Sequence, residues 1–413
     1  MQSISRRMMV LGLGATGLAG CVGGGGRGPV AGATADTAPR AVANPAFDAW
    51  VAAYRTRAAA RGIPANVISE AMGMAGYLPD VIEKDRNQTE FTRTLEDYLA
   101  IAAKPERVAM GQDKLRQYGS VLARIEARYG VEPHVVAAVW GLESFFGTRR
   151  GVVPVVSALA TLAYDGRRGE FFESQLTAAL KIIANGDVSA RAMTGSWAGA
   201  MGHTQFIPTS YLAFAVDFTG DGKRDIWSDD PTDSLASTAA YLQKSGWQRG
   251  LPWGAEVRLP AGFDPGHLGR GKGKSAAEWS ALGVTAVSGG PVPAGGSIIA
   301  PKGVGGPAFL LTQNFNVILR YNNAENYAIG VGHLSDRLLG RPGVQADWGP
   351  DKTGLTMADR QALQQALTRA GYDTGGTDGV MGAKTKAAIA AYQQAAGLPV
   401  TGEPSLELLR RLR

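Results

Sequence analysis

Glu143 is the residue whose type and surroundings most directly promise chemistry. It lies in the run Val135-Val136-Ala137-Ala138-Val139-Trp140-Gly141-Leu142-Glu143-Ser144-Phe145-Phe146-Gly147. It follows Val139 by four positions and Val136 by seven, spacings that place it on one helix face with apolar residues. A carboxylate on an apolar face resists ionising, so its pKa is expected to rise. A position near the helix C-terminus, the negative end of the dipole, acts in the same direction. A carboxyl that keeps its proton near neutral pH can serve as a general acid. Taken alone, the spacing better describes an ordinary, partly exposed glutamate near a helix end. Its neighbours along the chain must decide.

A second constellation could hold a cation. Asp217-Phe218-Thr219-Gly220-Asp221-Gly222-Lys223 resembles the first half of an EF-hand loop. Oxygen ligands from Asp217, Thr219 and Asp221, a glycine at position six and the carbonyl of Lys223 suit Ca²⁺. Position twelve is Ser228 instead of the usual glutamate, and Asp229, Asp230 or Asp233 could replace it. A Gly-Asp turn that binds no metal is the competing reading, and a bound ion would be structural.

Other motifs fail on context. Gly12-Leu13-Gly14-Ala15-Thr16-Gly17 fits G-x-G-x-x-G, but no strand precedes it and no βαβ unit surrounds it. Lys352-Thr353-Gly354 has no S-x-x-K to accompany it. His134, His203, His267 and His333 are far apart, and none belongs to an H-E-x-x-H, which removes most support for a zinc hydrolase. His203 receives no role. The single cysteine, Cys21, rules out both a disulfide framework and a cysteine zinc site.

The elements that must position these groups follow from composition and periodicity. The 413 residues suffice for two or three domains, and 45% hydrophobic with 19% charged residues is a globular balance. The net charge of +6 suits an anionic partner such as nucleic acid, an anionic membrane face or an acidic polymer. There is no Lys/Arg block interleaved with aromatics, so nucleic acid is not expected.

Residues 1–21 read as a targeting segment: Arg6 and Arg7 precede an apolar stretch, Met8 to Gly20, too short to span a bilayer. Its end, Leu18-Ala19-Gly20-Cys21, resembles a bacterial lipobox with Cys21 as the lipidated residue. Ser5-Arg6-Arg7 also permits twin-arginine export. Residues 22–45 are rich in Gly, Ala, Thr and Pro and read as a flexible tether.

From Phe47 to about Trp247 the pattern is mostly helical, with Pro64, Pro79 and Pro105 as punctuation, Gly130 ending one helix and Pro133 opening the next. Residues 251–307 are rich in Gly and Pro with short apolar runs, and read as a small β-containing lobe. Helix returns over Phe315 to Leu339, Gly340 to Thr353 forms a linker, and 354–413 make a last helical module. The expected class is mainly α with a small β lobe.

Three ordered blocks now carry a specific resemblance. Trp140-Gly141-Leu142-Glu143-Ser144-Phe145-Phe146-Gly147 resembles the catalytic-glutamate motif of the B-type lytic murein transglycosylases. Gly195-Ser196-Trp197-Ala198-Gly199-Ala200-Met201-Gly202-His203-Thr204-Gln205-Phe206-Ile207-Pro208 is similar to their second motif, and Arg320-Tyr321-Asn322 with Tyr327-Ala328 to their C-terminal motif.

The resemblance spans residues 46–342. It implies a lysozyme-like, mainly helical catalytic domain that cleaves the β-1,4 bond between N-acetylmuramic acid and N-acetylglucosamine without water, leaving a 1,6-anhydro end. Glu143 would be the lone acid/base. Most glycosidases need a second carboxylate, and no Asp or Glu here stands out as its partner. The resemblance places Ser196, Gln205, Phe206, Tyr321, Asn322 and Tyr327 along the substrate cleft. It sets Arg167 and Arg168 against a peptide or lactyl carboxylate, and it favours Asp233 as the remaining calcium ligand. It requires no cofactor, and calcium would be structural.

Residues 354–413 are similar to the three-helix peptidoglycan-binding domain. The matching positions are Asp378-Gly379-Val380-Met381-Gly382-Ala383-Lys384-Thr385, Ala388, Ile389, Tyr392, Gln393, Gly397-Leu398-Pro399 and Thr401-Gly402. Such a domain raises the local concentration of enzyme on the wall.

The expected partners are peptidoglycan, a membrane through the lipid anchor, and other cell-wall enzymes. The expected location is the periplasm, with Val22 after the lipidated cysteine favouring the outer membrane. Two alternatives stay open: a lysozyme-like muramidase that uses water, and a non-catalytic wall-binding lipoprotein.

Overall fold

The computed structural model describes residues 38–87 and 93–413. Cys21 and the targeting segment lie outside the described residues, as does most of the tether. Among the described residues the helices are α1 (Pro45–Ala60), α2 (Ala65–Gly73), α3 (Pro79–Arg86), α4 (Leu95–Ala102), α5 (Pro105–Gln117), α6 (Gly119–Tyr129), α7 (Pro133–Ser144), α8 (Val155–Asp165), α9 (Gly169–Ala184), α10 (Pro208–Phe214), α11 (Thr232–Lys244), α12 (Ala276–Ala281), α13 (Gln313–Tyr321), α14 (Glu325–Leu338), α15 (Met357–Arg369), α16 (Ala383–Ala395) and α17 (Leu406–Leu412). The strands are β1 (Val153–Pro154), β2 (Thr194–Gly195), β3 (Gly254–Arg258), β4 (Thr285–Ala286), β5 (Ser297–Ile299) and β6 (Ala308–Leu311). The mainly α class with a small β lobe is what the periodicity predicts. No helix among the described residues is long and apolar enough to cross a membrane.

The chain divides into two compact units. In the first, which runs to residue 91 and resumes over Met110–Trp247, α8 and α9 pack as a pair, α10 lies on α9, and α11 packs on α6 and α7. Helix boundaries follow the proline and capping logic. Asn44 caps α1 by accepting from the Ala46 and Phe47 amides, with Pro45 in its first turn. Gly130 ends α6 in the left-handed conformation, and Pro133 starts α7. Nearly every residue of α7 from Val135 to Ser144 is buried. It is a core element and not a surface helix with one wet face.

The second unit comprises Thr92–Ala109 and Gln248–Arg413. Its antiparallel sheet has the order β4-β3-β6-β5, with Val257 opposite Ala308 and Ile299 opposite Phe309. Trp279 of α12 is fully buried against Val257, Val284, Ile298 and Leu310. Helices α15, α16 and α17 close around Leu355, Leu363, Leu367, Ile389, Leu408 and Leu409.

Arg360 of α15, 3% exposed, meets Glu96 at 2.9 Å and Asp97 at 3.3 Å, both on α4, and Asp351 at 3.2 Å. Burial raises the Glu96 pKa above its ordinary value while the Arg360 charge opposes the rise.

Two expectations need correction. The stretch between α9 and α11 is not mostly helical: it is irregular apart from β2 and the seven residues of α10. Gly202 is one cause. Its φ is +71°, and a Cβ there would meet the Ile226 carbonyl oxygen at 2.3 Å. The β lobe also extends beyond residue 307, because the buried run Ala308–Leu311 pairs with both β3 and β5.

Candidate active site

Glu143 is the penultimate residue of α7 and is 8% exposed. The helix stops because Phe145 and Phe146 take left-handed conformations, with φ of 50° and 56°, followed by Gly147 at 85°. Such a conformation costs a non-glycine residue about 1–3 kcal/mol, and it persists only where surrounding structure enforces it. Here the enforcement is visible. The Gly147 amide donates to Ser144 Oγ at 2.9 Å, and the Arg149 amide to the Ser144 carbonyl at 2.9 Å. The Phe146 ring meets Trp140 edge to face, with centroids 5.6 Å apart.

The segment carrying Ser196, Gln205 and Phe206 is fastened to this helix end. Ser144 Oγ donates to the His203 carbonyl, and Trp140 Nε1 donates to His203 Nδ1 at 3.2 Å. The segment folds back on itself: Met201 and Phe206 exchange backbone hydrogen bonds at 2.9 and 3.0 Å, and the Ser196 amide donates to the Ala200 carbonyl at 2.8 Å.

Ser196 Oγ accepts from the Ala198 and Ala200 amides at 3.3 and 3.1 Å, so it shapes this turn and retains its own proton for donation. Phe206 is fully buried beside Tyr241. Gln205 is a third strained residue, with φ of 54°. Its Nε2 donates to the carbonyls of Arg150, at 3.0 Å, and Gly202, at 2.8 Å. Those two contacts fix the orientation of the amide. Its Oε1 is buried with no hydrogen-bond partner, leaving an uncommitted acceptor.

Arg167 and Arg168 precede α9, and both grip Asp85 of α3. Arg167 Nε donates to Asp85 Oδ2 at 2.7 Å, and Arg168 Nη2 to Oδ1 at 2.6 Å. Asp85 is 2% exposed, while the Arg167 side chain is 43% exposed. Two guanidiniums against one carboxylate leave a net positive charge at this corner. Tyr321, Asn322 and Tyr327 belong to the second unit, at the end of α13 and the start of α14, and all three are buried.

The carboxylates of Asp217, Asp221 and Asp233 each offer an oxygen, and these oxygens lie within 4.8 Å of one another. Asp233 sits in the first turn of α11 and accepts from the Phe218, Thr219 and Asp225 amides at 2.9 to 3.0 Å. Even so, burial raises its pKa, the amides oppose the rise, and the Asp217 charge adds to it. A cation between these carboxylates would offset their mutual repulsion. Thr219 turns its hydroxyl to Asp217 at 3.2 Å, and the Lys223 amide donates to Asp221 at 2.9 Å.

Sequence reasoning missed three contributors. Asp85 carried a signal: Val81, Ile82 and Asp85 share the buried face of α3, and an acid on an apolar face requires a partner. Arg150 donates to the Trp227 and Ser228 carbonyls at 2.8 and 2.7 Å and pairs with Asp229, and nothing in its local sequence marks it. His203 is the third.

Comparison with known proteins gives this geometry a context. Residues 46–336 match the transglycosylase SLT domain, and residues 356–412 the putative peptidoglycan binding domain. The chain is 33% identical over 241 residues to the membrane-bound lytic murein transglycosylase B of Escherichia coli (strain K12). That match covers 56% of this chain and 63% of the relative's length. Among solved structures, SltB3 of Pseudomonas aeruginosa in complex with NAG-NAM-pentapeptide is similar with a TM-score of 0.71 and 48% identity, covering 89% of this chain and 99% of that one. The Escherichia coli lytic transglycosylase Slt35 in complex with calcium is similar with a TM-score of 0.61 and 28% identity, covering 74% and 96%. On a match spanning most of its length, the chain belongs to the SLT transglycosylase family.

Proposed function

We propose that this chain is a peptidoglycan lytic transglycosylase with Glu143 as its acid/base. The observation that carries the reading is the setting of Glu143: a buried carboxyl one residue from the end of a core helix, beside a strained turn that fixes its place. In the first half-reaction Glu143 gives its proton to the glycosidic oxygen leaving N-acetylmuramic acid C1. In the second, the carboxylate takes the proton of the muramic C6 hydroxyl as that oxygen bonds to C1. The carboxyl ends as it began, and no water is consumed. Gln205 Oε1 is an acceptor suited to an N-acetyl N–H or a sugar hydroxyl, and the positive corner at Arg167 and Arg168 suits a lactyl or peptide carboxylate.

Mass spectrometry of muropeptides released from purified sacculi tests this. The expected products end in 1,6-anhydromuramic acid. Reducing ends would support the water-using muramidase instead, and no release at all would support a wall-binding protein without activity.

The C-terminal helical domain supplies wall affinity in this reading. Cys21 is the lipidation site, so Cys21→Ala should move the protein from the membrane fraction to the soluble fraction. We also assign Asp217, Asp221 and Asp233, with Thr219 and the Lys223 carbonyl, to a structural calcium site.

A further inference from the structure

Outside the motif residues that the proposed reaction uses, one side chain stands against the strained end of α7. His203 is 4% exposed. Its Nδ1 accepts from Trp140 Nε1 at 3.2 Å, and because an indole N–H only donates, the ring proton sits on Nε2. Nε2 faces the Ser228 carbonyl at 2.8 Å. The ring therefore bridges α7 to Ser228, in the stretch that follows Asp217–Lys223. It also fills the space beside Gly147: a Cβ on that glycine would lie 2.4 Å from His203 Nδ1. The Trp140 bond ties the ring to α7, the Ser228 bond anchors its other edge, and the close approach sets it against the turn that follows Glu143.

We propose that His203 is a positioning residue for Glu143: its bridge from Trp140 to Ser228, wedged against Gly147, holds the left-handed turn 145–147 and so fixes the last turn of α7. The reading rests on Glu143 being the acid/base, but its test is separable because it compares variants that all keep Glu143. The bridge needs the unprotonated ring, since a proton on Nδ1 would oppose the Trp140 N–H. The charged groups facing the ring are Arg150, whose Nη1 is 3.4 Å from Nε2, and Asp229 and Asp230 beyond it, while Glu143 on α7 neighbours Ser144. Burial and the Arg150 charge keep the ring neutral, with the Ser228 carbonyl and the two aspartates opposing them.

The test uses full-length chains. His203→Phe keeps a ring but removes both hydrogen bonds, and His203→Gln restores an acceptor and a donor. The expected result is a fall in kcat of about 10- to 100-fold for His203→Phe with KM little changed, the signature of a displaced acid rather than of lost binding. In His203→Gln most of the kcat should return. A folded His203→Phe with wild-type kcat overturns the proposal, as does a folded His203→Gln no better than His203→Phe.

If His203→Phe shows no cooperative thermal transition, the wild-type chain labelled with ¹⁵N-tryptophan decides. The Trp140 indole resonance should move with the acid limb of kcat, below the ordinary histidine pKa of about 6.5. An indole resonance unmoved through that limb overturns the proposal.

Discussion

Gln205 and Arg150 are joined by a 3.0 Å hydrogen bond from the Gln205 amide nitrogen to the Arg150 carbonyl, which leaves Gln205 Oε1 as a buried acceptor with no partner. An unsatisfied buried acceptor costs about 1–3 kcal/mol, and Gln205 carries left-handed strain as well. In the proposed reaction this acceptor is offered to the substrate. Gln205→Leu removes the acceptor while keeping a similar volume. The expected loss in kcat/KM is about 10- to 100-fold, equivalent to one hydrogen bond to substrate, measured by anhydromuropeptide release. An unchanged kcat/KM would remove Gln205 from the site.

Asp85 should matter to stability more than its distance in sequence from the motifs implies. Asp85→Ala leaves Arg167 and Arg168 facing each other without their shared carboxylate. Because both arginines retain some exposure, the cost should fall below that of a fully buried pair, at about 2 kcal/mol. That corresponds to a fall in melting temperature of roughly 4–8 °C in a unit of this size. Differential scanning calorimetry reads this directly.

The acidic loop gives a pH-dependent prediction. The Asp233 pKa is raised, so its ionised form opposes folding. Without a cation, that penalty is absent below the unfolded carboxylate pKa and grows as pH rises through the folded one. Ca²⁺ relieves the penalty and competes with protons, so its thermal stabilisation should be larger at about pH 7 than at about pH 4.5. Asp233→Asn should shrink the Ca²⁺ shift at neutral pH, and equal melting temperatures with Ca²⁺ and with chelator would exclude the site.

Arg360 pairs with Glu96, Asp97 and Asp351. Arg360→Met leaves those acids without it. Glu96, already raised by burial, would rise further. The variant should therefore lose about 3 kcal/mol near neutral pH and less near pH 4.5, where Glu96 can take up a proton. Urea unfolding at the two pH values checks the sign, and an equal loss at both would contradict the charge argument.

Much of this was legible in the sequence, for physical reasons that differ from part to part. Gly130 and Pro133 mark the boundary before α7 through local backbone chemistry, and Glu143 stands out by the motif around it, because α7 is buried on nearly every side and spacing from Val136 and Val139 does not single it out. The strand at Ala308–Leu311 was not legible as a strand. Four consecutive buried apolar residues have no period, and only pairing with β3 and β5 decides their conformation.

The irregular stretch between α9 and α11 follows from glycine placement and long-range contacts, which helical periodicity does not register. Asp85 with Arg168, His203 with Trp140 and Arg360 with Glu96 each join residues at least 63 positions apart. Single-chain patterning can indicate that such a residue needs a partner, but not which partner it finds.

In the proposed reaction one carboxyl serves both halves of an internal transfer. Glu143→Gln keeps the shape of the side chain and removes its ability to exchange a proton. Its most direct test is mass spectrometry of muropeptides released from purified sacculi by the wild-type chain and by a folded Glu143→Gln variant. The wild type should release 1,6-anhydro ends and the variant none. Reducing ends from the wild type, or anhydro ends from Glu143→Gln at the wild-type rate, would contradict it.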